Sequence, residues 1–255
     1  AGLSGFWLLI LMTALVWKMT YFAHRGLARL VLSSSRGNGG ITEVVEEHFG
    51  EGVGKLLTFF YFFSIYPIVL IYGVGVTNTV EHFFVNQLGL TPPPRIILSF
   101  VLIFSMMLVL WKGEKIMLKV TEYLVYPLAC FLVFISFYLI PEWNLAVLYE
   151  KPCFGSCLKT LWVSIPVLIF SFNHSPIISS FVQAQVRDHG KEAAEKKISQ
   201  VLSRTATMLL GFVMFFVFSC VLSLSPDDLI EAKKMNISIL SYFSKKFDDP
   251  VFSYL

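Results

Sequence analysis

The sequence predicts an all-α integral membrane protein with about six transmembrane helices, one of them broken in its middle. Three observations carry this. The 255 residues are 56% hydrophobic and 16% aromatic, with a mean hydropathy of +0.70, more apolar surface than one water-soluble core of this size hides. Six apolar stretches approach or reach the length that crosses a bilayer at roughly 1.5 Å per residue. The fifth, Leu161 to Val186, interrupts its apolar run with Ser171-Phe172-Asn173-His174-Ser175-Pro176, polar groups at a depth where hydrocarbon makes them costly.

The first span runs from about Gly5 to Ala23 and ends in His24-Arg25, with Arg29 a turn further on; cationic residues suit a helix end at the headgroups. Lys18, inside that span near its end, is read as snorkelling to the same interface. Ser33 to Gly40 is a Ser/Gly-rich loop. Ile41 to Phe49 is amphipathic, and Thr42 before Glu43, Glu46 and Glu47 marks a helix start, because side-chain oxygen and negative charge satisfy the N-terminal donors.

The second span, about Leu56 to Val80, carries Tyr61, Tyr66, Pro67, Tyr72, Gly73 and Gly75. The glycines permit close helix approach, and the tyrosines either pack or turn a hydroxyl toward a cavity. The proline-rich turn Leu88 to Arg95 leads into the third span, about Ile96 to Trp111. Lys112, Glu114, Lys115 and Lys119 separate it from the fourth, about Val120 to Ile140, which contains Pro127. Glu122, near the start of that span, is read as interfacial, with a place in a proton path as its alternative role.

Pro141 to Thr160 is a longer loop containing Cys153 and Cys157. After the fifth span, Arg187 to Arg204 is charged and helical in composition and leads to the sixth, about Thr205 to Leu224. Ser225-Pro226-Asp227-Asp228 then caps a helix too short to span, Asp227 to Met235, before a last amphipathic piece.

Within the fifth span Pro176 has no N–H and its ring opposes the preceding turn, so carbonyls near Phe172 lose their helical partners. A broken helix at mid-membrane is how many carriers hold a small zwitterion or a coupling ion. A Pro-kinked packing helix, its Asn and His satisfied by neighbouring helices, fits the same residues.

Lys and Arg number four, three and five in the first, third and fifth connections, against one and two in the others, so the odd connections are cytoplasmic. Both chain ends then lie outside. An external start without a signal peptide implies at least one helix upstream. Cys153 and Cys157 fall on the oxidising side, where a disulfide or two free thiols are both open. The four cysteines form no CxxC pair and no histidine stands at metal spacing, so no metal or other cofactor is expected. The net charge of +3, without a basic face interleaved with aromatics, argues against nucleic acid.

The blocks Phe22 to Leu27 (FAHRGL), Ile41 to Gly50 (ITEVVEEHFG), Thr91 to Arg95 (TPPPR), Phe170 to Phe181 (FSFNHSPIISSF) and Phe215 to Leu224 (FFVFSCVLSL) resemble the bacterial hydroxy and aromatic amino acid permeases, the serine permease branch above all. The resemblance covers essentially the whole chain. It implies a LeuT-like fold of the amino acid/polyamine/organocation type with five-plus-five inverted repeats. The six spans resemble the second to seventh helices of that fold, and the 255 residues form one partial transmembrane domain.

It further implies a multi-pass protein of the bacterial inner membrane that imports L-serine, with L-threonine as a further substrate, together with protons; sodium coupling stays open. Ser171, Phe172, Asn173, His174, Ser175 and Pro176 would contact the amino acid, with Tyr66 or Tyr72 alongside. His174, the one ionisable side chain in the break, is a candidate for proton coupling or a neutral histidine bonding across helices. Lys18 departs from the uncharged position expected in relatives.

Other function classes fit less well. No filter-like repeat suggests a channel. Ser175 beside His174 is not a nucleophile and base, since neighbouring helical residues point about 100° apart, and neither Gly-x-Ser-x-Gly nor His-Glu-x-x-His occurs, so the chain is not read as an enzyme. A symporter for another hydroxy or aromatic amino acid, or a sensor that binds without transport, would use the same pocket.

Overall fold

A computed structural model describes residues 6–35, 40–86, 88–146, 154–235 and 239–247. The helices among them are α1 (Phe6–Ser33), α2 (Ile41–Phe49), α3 (Glu51–Asn86), α4 (Arg95–Trp111), α5 (Glu114–Tyr138), α6 (Phe154–Ser171), α7 (Ser175–His189), α8 (Lys191–Ser223), α9 (Pro226–Met235) and α10 (Ile239–Phe247). A 3-10 turn, Ile140–Glu142, follows α5 where Pro141 ends the α-helix.

Five segments among the described residues are long and apolar enough to span a membrane: Phe6–Ser33, Glu51–Val85, Lys115–Tyr138, Leu158–His189 and Lys191–Ser223. The expected third span is α4, whose 17 residues measure about 25 Å, short of the ~30 Å hydrocarbon core. Two boundaries differ in kind from those read in the sequence. α1 does not stop at Ala23 but continues to Ser33, because the residues that follow keep a buried stripe. The charged stretch Arg187 to Arg204 is helical, as its composition suggested, but divided: Arg187 to His189 end α7, and from Lys191 onward it forms one helix with the apolar residues after it. Lys18, exposed, accordingly lies about four turns before the end of α1, not near it.

The chain divides into two compact units, residues 49–130 forming one and most of the remainder the other. In the larger, α1 buries Met12, Val16, Thr20, His24 and Ala28, four residues apart and therefore on one face. α8 answers with Ala194, Ile198, Leu202 and Ala206 at the same spacing. Ala28, Val31, Ile178, Val182, Ala194, Ile198 and Leu202 form one cluster that joins α1, α7 and α8. Small residues at these contacts let the helices approach closely, which is how helices associate where lipid supplies no hydrophobic drive.

Residues 49–130 contain α3, α4 and most of α5. α3 exposes Phe59, Phe60, Phe62, Phe63, Leu70 and Ile71, the all-round apolar surface of a membrane helix. Arg95 holds α4 to α3 through Glu81 Oε2 at 3.0 Å and Asn78 Oδ1 at 2.5 Å. A Cβ at Gly73 would meet Ile103 Cδ1 at 3.7 Å, an ordinary contact, so the approach of α4 does not need glycine there.

α2 is fastened to the end of α1 by Glu47. Its Oε1 accepts from the Ser35 hydroxyl at 2.6 Å and the Ser35 N–H at 2.9 Å, and its Oε2 from the Ser34 hydroxyl at 2.7 Å. The Ser35 hydroxyl, then the Ser34 hydroxyl and the Ser35 N–H, lower this carboxyl from 4.5 to about 2. A depressed folded-state pKa adds stability that is complete above the unfolded value and lost as pH falls toward the folded one.

Two predictions follow from this architecture. Amide protection of α2, corrected for intrinsic exchange, falls as pH is lowered from 4.5 toward about 2, whereas Glu47→Gln lowers it already at neutral pH and removes the acid dependence. Gly190, between α7 and α8, has φ 75° and ψ 161°, open to glycine alone, and no atom lies within 4 Å of a Cβ built there. Gly190→Ala therefore costs about 1–3 kcal/mol of backbone strain with no clash, read as a lower melting temperature of the protein in detergent.

Candidate functional site

α6 ends at Ser171 and α7 begins at Ser175, so the break falls inside the motif singled out in the sequence, within an apolar segment that spans Leu158–His189. Pro176 sits in the first turn of α7, where its missing N–H is harmless. The three residues between are held mostly by their own side chains. Asn173 Oδ1 accepts the Ser175 N–H at 3.1 Å, an Asx turn that stands in for a helical bond. His174 Nδ1 lies 3.0 Å from the Phe172 carbonyl, and since a carbonyl oxygen only accepts, that nitrogen carries the hydrogen. The Ser171 hydroxyl folds back on the Val167 carbonyl at 2.8 Å.

The remaining donor, the His174 N–H, crosses to another helix. It reaches His24 Nε2 on α1 at 3.2 Å, and the two imidazoles stack with centroids 3.7 Å apart and planes 1° from parallel. His24 is 5% exposed, and its Nδ1 lies 2.6 Å from the Thr20 carbonyl. His174 Nε2 is buried without a hydrogen-bond partner, a polar atom turned inward with nothing to satisfy it.

Of the residues expected to contact a ligand, Ser171, Asn173 and Pro176 are exposed, His174 and Ser175 half-buried, and Phe172 buried. The Phe172 side chain thus belongs to the core, and its carbonyl is occupied by His174. Tyr66 and Tyr72 lie on α3 and Glu122 on α5, within residues 49–130, all three exposed; Tyr66 stacks on Phe62 with centroids 6.1 Å apart. Cys153 lies outside the described residues, as does the side chain of Cys157, and with them the disulfide they suggested.

His24 is the residue that sequence reasoning placed wrongly. Read by charge with Arg25, it belonged at the headgroups; in the structure it is buried against the break. The signal lay in the four-residue spacing of Val16, Thr20, His24 and Ala28, which puts His24 on the inner face and Arg25 beside it on another. Arg25 lines a polar groove of about 650 Å³ with Tyr21 and with Glu192, Glu195, Lys196 and Arg204 of α8.

Comparison with known proteins gives a consistent picture. Residues 1–200 match the tryptophan/tyrosine permease family. The chain is 52% identical over 261 aligned residues to Serine transporter SdaC of Escherichia coli (strain K12), and equally to that of Escherichia coli O157:H7; the Shigella flexneri protein of the same name is 51% identical. All of this chain is covered in each case but only 61% of the relative, so it spans about three-fifths of their length. No solved structure matches.

The Asx turn yields a direct test. Asn173→Leu removes the acceptor for the Ser175 N–H and lowers stability by about 1 kcal/mol, whereas Asn173→Asp keeps it; thermal melting of the two variants in detergent separates them.

Proposed function

The chain belongs to the tryptophan/tyrosine permease family, and from that premise we propose that it forms part of a proton-coupled symporter importing L-serine, and L-threonine as a further substrate, across a bacterial inner membrane. The observation that carries this reading is the break at Phe172 to His174 inside a long apolar segment. A helix unwound inside such a segment is where many carriers hold a small zwitterion. The relatives named as serine transporters support serine as the cargo.

In this reading the 255 residues are one partial transmembrane domain of a LeuT-like carrier with five-plus-five inverted repeats, and their spans correspond to its second to seventh helices. Ser171 to Pro176 contact the amino acid, Tyr66 or Tyr72 flanks it, and His174 or Glu122 handles the coupling proton. The family's description supports a second reading, an aromatic amino acid in the same place.

Uptake of labelled L-serine by cells expressing the full-length protein, in a host without its own serine carriers, tests the proposal. The expected result is saturable uptake that collapses with a protonophore at constant sodium. Uptake that persists moves coupling to sodium or to an exchanged solute, and competition by tryptophan but not threonine favours the aromatic reading. Binding without uptake identifies a sensor. Ser175→Ala raises the apparent KM for L-serine by about tenfold, ~1.4 kcal/mol; an unchanged KM removes Ser175 from the site.

A further inference from the structure

We propose that the stacked pair His24 and His174 binds the coupling proton, and that a proton on His24 Nε2 unfastens the helix break from α1. The inference rests on the proton-symport reading above and adds to it a residue on another helix and a way for protonation to move the break.

The protonation state follows from the bonds. His24 Nδ1 faces the Thr20 carbonyl at 2.6 Å, so it carries a hydrogen. His24 Nε2 receives the His174 N–H at 3.2 Å, so it carries a lone pair. His24 is therefore neutral in this arrangement, in one defined tautomer. A proton added at Nε2 replaces that lone pair with an N–H aimed at another N–H. The only bond from the backbone of the break to α1 among those described is then repelled, and the half-buried His174 N–H is left without an acceptor.

His174 Nε2, buried and unpartnered, is the other place for a proton, and there it disturbs neither bond. Two protons would set like charges on parallel rings 3.7 Å apart, so the pair holds one. Charge on one ring thus reports directly on whether the break is tied to α1, and the break is where the substrate is proposed to sit.

Few other ionisable groups face the pair. On α6 and α7, between Lys159 and Arg187, His174 is the only one. On α1 the neighbours within a turn are Tyr21 and Arg25, which line the groove shared with Glu192, Glu195, Lys196 and Arg204 of α8. Tyr21 is bonded to Ser199, and Glu195 is paired with Arg29 at 3.4 Å. Below Arg204 α8 carries no ionisable side chain until Cys220.

The test measures alkalinisation of lightly buffered cells on addition of L-serine, alongside serine–serine exchange, with the full-length protein. A wild type that moves no proton sinks the symport reading itself and this inference with it. If the wild type does couple, His24→Gln is decisive, since its amide can donate to Thr20 and accept from His174 but does not titrate. Serine-driven proton uptake should fall by about tenfold or more, while exchange falls far less. His24→Gln that couples with the wild-type stoichiometry overturns the proposal. Should that variant fail to reach the membrane, His24→Asn, which likewise carries no imidazole at the position that accepts the His174 N–H, should lose proton uptake by a similar factor; coupling intact in it overturns the proposal equally.

Discussion

Residues 172 to 174 leave the helix in the middle of an apolar segment, where water is not at hand to satisfy their backbone, and the rest of the larger unit is arranged around that fact. An unpaired donor or acceptor in such a place is costly. The break answers by closing on itself: the Phe172 carbonyl takes the His174 ring and the Ser175 N–H takes Asn173. One donor cannot be served locally. It is served by His24, and so the local geometry of the break becomes a property of its contact with α1.

That contact depends on the register of α1 and α8. Four-residue stripes of modest side chains, ending in alanines, set their separation, and polar pairs along the seam fix their alignment. Trp17 Nε1 donates to Thr207 Oγ1 at 3.1 Å, and the Tyr21 and Ser199 hydroxyls meet at the same distance. A shift of one helix along the other would carry His24 away from the break and leave the His174 N–H bare. Packing, tautomer and helix geometry are thus one constraint seen at three scales.

Outside the apolar segments the chain uses charge. Asp228 draws α9 and α10 together, accepting from the Ser225 N–H and hydroxyl, Lys246 and Tyr242 at 2.6–2.9 Å. Burial alone would raise its carboxyl, but the bonds from Lys246, Ser225 and Tyr242 outweigh burial and hold it well below the usual carboxylate range. Burial, then hydrogen bonds to Asp228 and Glu231, push the Tyr242 phenol up. Glu47 does the equivalent work where α2 meets α1. Hydrogen bonds hold the charge of these carboxylates, while at the seam of α1 with α7 and α8 neutral imidazole, indole and hydroxyl groups also do the joining.

What could be read from the residues alone was whatever depends on neighbours in sequence. Hydropathy over 20 residues, the Pro176 ring, the Asp-rich start of α9 and the amphipathic run Ile41 to Phe49 each act over a few turns, so the membrane-spanning class, the helix break and the short flanking helices were all legible. The extent of α1 and the fusion of the charged residues from Lys191 onward into α8 were less so, because charge suggested an interface where helical continuity had no reason to stop. The role of His24 was decided only by the fold. Its partner is 150 positions away, and no local pattern states which face of one helix will meet the gap in another; that is settled when the stripes of α1, α7 and α8 pack and the one unsatisfied N–H of the break finds the nearest lone pair.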